Sequence, residues 1–146
     1  MKLNAGRIIG AGIVFAVISQ IIHSIEAFAT MNYYLIPEYW PVWSKVMMPG
    51  EGAPPMSFYG YSFGFAVIIG VIFALAYSVI KDSLKGKNAM QNGVRYGTIL
   101  FFVAGIPFSL TLYLLVNLPV GLIAYWAFST LIIYVLGAIA IAKIVK

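Results

Sequence analysis

The sequence predicts an all-α integral membrane protein: a single domain, residues 1–146, with four transmembrane helices in a bundle. Hydrophobic residues make up 62% of the chain and charged residues only 9%, whereas soluble globular domains have about 25% charged residues. Several apolar runs approach or exceed the roughly 20 residues that a helix needs to span a bilayer. A soluble protein of this composition would expose large apolar patches, so a membrane location is expected.

Four apolar segments qualify as spans. We place them at Ile8–Thr30, Phe58–Ile80, Thr98–Val116 and Val120–Ala142. The first segment follows two basic residues and contains the small-residue sequence Ala27-Phe28-Ala29, a pattern that also marks cleavable signal peptides. Because the segment is present in the molecule, we expect it to be a transmembrane helix.

The basic residues predict the orientation of the spans. One predicted side holds Lys2, Arg7, Lys81, Lys85, Lys87, Arg95, Lys143 and Lys146, and the other holds Lys45. Because lysine and arginine concentrate on the cytoplasmic side, both termini are expected inside. The net charge of +5 is explained by this topology, and we expect the lipid bilayer as a partner and no nucleic acid.

The segment between spans one and two predicts a short helix on the outer leaflet. Its aromatic and apolar residues fall on one helical face, namely Tyr39, Trp40, Trp43, Val46 and Met47. Pro41 is compatible with the first turn of a helix, and Gly50 is a typical residue at the end of one. Tryptophan and tyrosine favour the headgroup region, so Tyr39, Trp40 and Trp43 are predicted to be interfacial anchors. A lid or docking surface is the alternative interpretation.

Span one carries a stripe of small and polar residues, spaced alternately by four and three. The stripe consists of Gly12, Ala16, Ser19, His23, Glu26 and Thr30. This spacing puts all six on one face of a helix. Lipid would penalise a bare Glu or His, so the face should point into protein or water. Gly12 and Ala16 would let a neighbouring helix approach closely.

Spans two and three offer further packing features. One small-residue ridge in span two is Ala66, Gly70, Ala74 and Ser78, and a GxxxG pair, Gly60 and Gly64, lies nearer the outside. Both ridges are predicted to pack against other helices. In span three, Pro107 has no backbone N–H to donate, which predicts an irregular helical turn near Gly105. The Ser109 hydroxyl could hydrogen-bond to a backbone group left without a partner there.

His23 and Glu26 lie one helical turn apart, and three interpretations stay open for them. In the first interpretation, they form a hydrogen-bonded structural pair. In the second, they line a proton or ion pathway with Ser19 and Gln20, because ionisable groups inside membranes often line such pathways. As a third interpretation, they belong to a metal or haem site, since imidazole and carboxylate both ligate transition metals. Two ligands on one helix do not complete such a site, and no cofactor is assigned.

The residues favour a protein that is not an enzyme. The chain has no cysteine, which excludes disulfides and thiol chemistry, and no nucleophile–histidine–acid set or nucleotide loop stands out. We expect a small membrane protein that acts through protein contacts, as an accessory subunit of a larger complex or by self-association. The alternative is a homo-oligomeric channel or transporter with its polar pathway near His23 and Glu26.

One segment is similar in character to small four-span membrane proteins of prokaryotes. It reads RYGTILFFVAGIPFSLTLYLLVNLPVGLIAYW, from Arg95 to Trp126. This resemblance implies a prokaryotic cell membrane as the location and assigns no functional residue.

The topology can be tested by cysteine labelling, because the native chain has none. We expect Lys85→Cys and Glu51→Cys to react with a membrane-impermeant maleimide from opposite sides of the membrane. Labelling of both positions from one side would contradict the four-span topology.

Overall fold

The computed structural model describes residues 4–50 and 52–145, and all its regular secondary structure is helical. Lys2, Glu51 and Lys146, used above for orientation and labelling, lie outside the described residues. The α-helices are α1 (Ala5–Tyr34), α2 (Met56–Ile80), α3 (Ala89–Leu100), α4 (Ile106–Leu115) and α5 (Val120–Ile144). A π-helical segment joins α3 to α4, so that Ala89–Leu115 forms one long helical stretch.

Four helical stretches are long and apolar enough to cross a membrane, as the sequence predicts. The third stretch begins nine residues before the predicted Thr98, at Ala89. Its start is set by Asn88, whose side-chain oxygen accepts the Gln91 backbone N–H at 2.9 Å. The first turns of α3 are polar, and hydropathy alone therefore predicts a loop there. The capping hydrogen bond of Asn88 stabilises a helix at this position instead.

The outer connection differs from the predicted two-turn helix. It contains a six-residue 3-10 helix, Pro37–Val42, after which the chain bends at Trp43 and turns at residues 45–47. Pro41 lies inside the 3-10 helix. Because the helix ends at Val42, the predicted continuous helical face from Tyr39 to Met47 does not form.

Helices α1 and α5 lie at the centre of the arrangement. Helix α1 packs against α2 on one side and α5 on the other, and α3 packs along α5. Across the remaining gap, the Tyr96 hydroxyl of α3 donates a hydrogen bond of 2.8 Å to the Phe73 carbonyl oxygen of α2. Tyr96 is almost fully buried, so this bond fixes α3 against α2 in the middle of the core.

Glycines form the tightest helix contacts. A Cβ added at Gly12 would lie 2.9 Å from the Val71 nitrogen of α2, and one at Gly70 would lie 2.8 Å from the Gly12 carbonyl oxygen. On the other side of the molecule, a Cβ at Gly97 of α3 would lie 2.5 Å from the Tyr134 carbonyl oxygen of α5. The helices therefore meet backbone to backbone at these points, which requires residues without a side chain.

The two predicted ridges of α2 have different environments. The ridge of Ala66, Gly70, Ala74 and Ser78 is buried, as predicted. Gly60 and Gly64 are exposed, and a Cβ at either position would meet no described atom within 4 Å. Within one chain, the expected packing at Gly60 and Gly64 is therefore wrong.

The irregularity expected near Pro107 is the π-helical segment Phe101–Gly105. The Ile106 backbone N–H bonds to the Phe101 carbonyl, five residues back. The Ser109 hydroxyl donates a 2.9 Å hydrogen bond to the Gly105 carbonyl oxygen. The wider turn and the serine thus accommodate the backbone beside a proline, as happens at other π-bulges.

The two ends of the molecule are packed differently. The end that carries Lys81, Lys87 and Lys143, here called the basic end, contains the main buried apolar cluster, with contributions from all four stretches. At the opposite end, here called the aromatic end, a smaller cluster on Leu118, Leu122 and Ile123 is covered by aromatic side chains. There, every residue of α4 and of residues 56–65 in α2 is at least partly exposed.

The tight α1–α2 contact predicts opposite effects for one substitution at two places on α2. Gly70→Ala should lower the free energy of unfolding by about 1–3 kcal/mol, because the methyl group would press on the α1 backbone. Gly64→Ala should be neutral or stabilise the helix by up to about 1 kcal/mol. The free energy of unfolding of both variants can be measured in mixed detergent micelles, with circular dichroism as the signal. Equal losses of stability in the two variants would contradict the observed packing.

Candidate functional site

The small and polar stripe of α1 faces the protein, with one exception. Gly12, Ala16, Ser19, Glu26 and Thr30 are buried, while the His23 side chain is 49% exposed. The stripe is predicted to face protein or water: five of its residues are buried within the chain, and His23 lies at the surface of the chain.

His23 and Glu26 form a direct pair. The His23 Nδ1 atom lies 3.1 Å from the Glu26 Oε2 atom, and the Glu26 side chain is only 6% exposed. The Thr30 hydroxyl donates a 2.8 Å bond to the Glu26 carbonyl oxygen and lies 3.5 Å from carboxylate Oε1. A carboxylate buried among apolar helices needs such partners, because an unpaired one would be strongly disfavoured.

Gln20 does not join this pair. Its Nε2 atom donates a 2.8 Å hydrogen bond to the Ser62 hydroxyl of α2. Ser24 is exposed, and its hydroxyl donates to the Gln20 carbonyl oxygen at 2.8 Å. Ser19 is buried on the same face of α1 as Glu26, about two turns nearer the basic end. Of the four residues of the predicted polar pathway, Ser19 and Glu26 are therefore buried, Gln20 contacts α2 and His23 is exposed.

An aromatic cluster continues the stripe at the aromatic end. The Trp126 indole N–H of α5 donates a 3.2 Å bond to the Tyr34 hydroxyl. Trp43 packs between them, with ring centroids 5.0 Å from Tyr34 and 6.1 Å from Trp126. Sequence reasoning missed Tyr34, although it follows Thr30 at a spacing of four and so extends the stripe by one turn.

The outer-loop tryptophans contact protein. Trp43 covers the buried cluster at the aromatic end, so it has a packing role in addition to any interfacial one. The indole N–H groups of Trp40 and Trp43 are buried and have no acceptor among the described residues. Tyr39 is half-buried in the same 3-10 segment as Trp40.

The metal interpretation gains no further ligand. Among residues 4–50 and 52–145, no group of three His, Cys, Asp or Glu side chains is close enough to hold an ion. His23 and Glu26 alone would offer two ligands, which is fewer than the four of a typical structural site. A metal site with three or four protein ligands at this position would need ligands beyond these two residues.

Comparison with known proteins gives no match: no protein-family model fits the chain, and no curated protein or solved structure is significantly similar to it. The function is therefore inferred from the chain's own residues.

The observed pair predicts which ring nitrogen of His23 carries the proton. Because Nδ1 faces the Glu26 carboxylate, the neutral ring should hold its proton on Nδ1. Glu26→Leu removes the acceptor and should shift the ring towards the Nε2–H form. Nitrogen-15 NMR of labelled histidine at alkaline pH distinguishes the two forms.

Ser19→Ala is the matched control, since Ser19 lies on the same buried face of α1 and the His23 ring is held by Glu26. This variant should keep the Nδ1–H form. The same tautomer in wild type and in Glu26→Leu would reject the direct pair.

Proposed function

We propose that this chain is a non-enzymatic integral membrane protein that acts by binding the transmembrane helix of another chain. Its basic end lies on the cytoplasmic side, with both termini inside, and Trp40 lies at the outer interface. The binding surface is the exposed part of α2 near the aromatic end. This role fits an accessory subunit of a larger membrane complex or a self-associating protein.

One observation carries the proposal: Gly60 and Gly64 form an exposed glycine pair at the aromatic end of α2, and no helix of the described chain packs on it. Gly12, Gly70 and Gly97 each contact the backbone of another helix. Gly60 and Gly64 lie open on the same helix as Gly70. Glycine weakens a helix by about 1 kcal/mol relative to alanine, so a glycine pair in an apolar helix is best explained by close helix contact.

The surroundings of this ridge support the proposal. Tyr61, beside Gly60, is 59% exposed, and His23 on the neighbouring helix α1 is also exposed. A neighbouring chain can offer hydrogen-bond partners to such polar groups, whereas lipid tails cannot. Helix α4 leaves the same end of the molecule open, with Leu114 80% exposed.

Photo-crosslinking in native membranes tests the proposal. A photoreactive phenylalanine analogue is placed at Tyr61 or at Val79, which is 72% exposed. The two positions are about five helical turns apart and so occupy the same face of α2 at opposite ends. We expect protein adducts at Tyr61 and only lipid adducts at Val79.

Substitutions at the ridge provide the second part of the test. Gly60→Leu combined with Gly64→Leu should abolish the Tyr61 adduct without unfolding the chain. Gly10→Leu is the matched control, because Gly10 also has no described atom within 4 Å of an added Cβ. Adducts of twice the 16.0 kDa chain mass would indicate self-association. Adducts that persist in the double variant would refute the proposal.

A channel or transporter is the second candidate, and the buried Glu26 carboxylate is the observation that favours it. The buried polar groups of α1 end at Ser19, however, since the buried residues between Ser19 and the basic end are small or apolar, as at Ile8, Ala11 and Phe15. A pathway would then run between copies. Flux of protons and a panel of ions in proteoliposomes separates the candidates: flux lost in Glu26→Gln would favour transport.

A further inference from the structure

The basic end contains a cavity that the helix-binding proposal does not use. It has a volume of about 310 Å³ and lies where the ends of α2 and α5 meet the start of α3. Its polar lining comes from Tyr77, Lys81, Asp82, Lys87, Asn88 and Asn92. Tyr77 and Ala142 are buried and form its floor.

We propose that this cavity binds a phosphate-bearing anion, and that the phosphate is the headgroup of an anionic phospholipid. The inference is independent of the helix-binding role proposed above. It rests on three features: the charge of the lining, the way the loop fixes that charge, and the position of the cavity along the helices.

The charge of the lining suits an anion. Lys81 and Lys87 contribute two positive charges, and Asp82 contributes one negative charge. Within the part of the chain that the structure describes, the one ion pair within 4 Å is His23–Glu26. The Asp82 carboxylate is therefore not within contact distance of either lysine ammonium group, and the lining of the cavity has a net positive charge.

The loop that carries Lys87 is held by side chains of α3. The Gly86 N–H donates to Asn92 Oδ1 at 2.7 Å, and the Lys87 N–H donates to Gln91 Oε1 at 2.9 Å. Gly86 is required there, because an added Cβ would lie 2.8 Å from the Asn92 nitrogen. Lys85 adopts a left-handed φ of 51° to complete the turn. The backbone that carries Lys87 is thus fixed at the edge of the cavity, so this part of the site needs no ordering when an anion binds.

The donors available in the cavity match phosphate oxygens. Ammonium groups form charge-assisted hydrogen bonds with phosphate, and Ala89, which begins α3, also lines the cavity. The first backbone N–H groups of a helix lack intrahelical acceptors and favour an anion. The N-terminus of α3 thus contributes additional N–H donors to the site, while the cavity and its two lysines are the main features of the site.

The position of the cavity favours a lipid source. The cavity lies at the ends of α2 and α5, two helices long and apolar enough to cross a membrane. In the proposed orientation this level is the cytoplasmic headgroup region. Basic pockets between helix ends on that side bind anionic lipid headgroups in other membrane proteins. A soluble phosphate compound would present the same chemistry to the lysines.

Lipid titration of the purified full chain, read by native mass spectrometry in a non-ionic detergent, tests the inference. Phosphatidylglycerol should bind about tenfold more tightly than phosphatidylcholine, because two lysines each favour an anionic headgroup. Lys81→Gln combined with Lys87→Gln should remove that preference. Asp82→Asn should strengthen phosphatidylglycerol binding, since it removes the negative charge from the lining.

The control double variant is Lys85→Gln with Lys143→Gln. It removes the same charge from the same end at two exposed residues that do not line the cavity, and it should keep the preference. Equal losses in the two double variants, or equal binding of both lipids by wild type, would overturn the proposal. Displacement of phosphatidylglycerol by millimolar inorganic phosphate would support the phosphate site with a soluble source, and its retention would support the lipid source.

Discussion

Direct backbone contact between helices is the constraint on which the rest of this structure depends. In a bilayer, helices as apolar as these would gain little from hydrophobic burial against one another, and close packing would have to hold them together. Gly12 and Gly70 bring α1 onto α2, and Gly97 brings α3 onto α5. Phe15 fills the space left at the centre, where its ring meets Phe73 edge to face at 5.5 Å.

This constraint also explains why the two ends differ. At the basic end, glycines on several helices allow four stretches to share one buried cluster. Towards the aromatic end, α1 and α5 stay together through Tyr34 and Trp126, while the exposed Gly60 and Gly64 of α2 have no partner helix within the described chain. The paired Glu26 therefore lies in a part of the molecule that is held by one helix pair and covered by the loop tryptophan Trp43.

The polar groups follow the same division of the molecule. At the aromatic end, Glu26 is buried and satisfied locally by His23 and Thr30 on its own helix. At the basic end, Lys81 and Lys87 line a cavity, and side chains of α3 accept hydrogen bonds from the backbone of the loop that carries Lys87. The buried carboxylate at one end is thus paired within its own helix, whereas the two lysines at the other end have no carboxylate at contact distance.

Local patterns in the sequence predicted the features that depend on a single helix. They did not predict which residues of different helices contact one another. Apolar length predicted four helical stretches, and the spacing of the α1 stripe placed Glu26 on a buried face. Pro107 marked the irregularity that became the π segment. These causes act within about one or two turns. By contrast, Gly70 and Gly64 look alike in sequence, yet one contacts α1 and the other is open. Periodicity reports the face of a single helix, whereas the choice between these glycines depends on where a second helix packs.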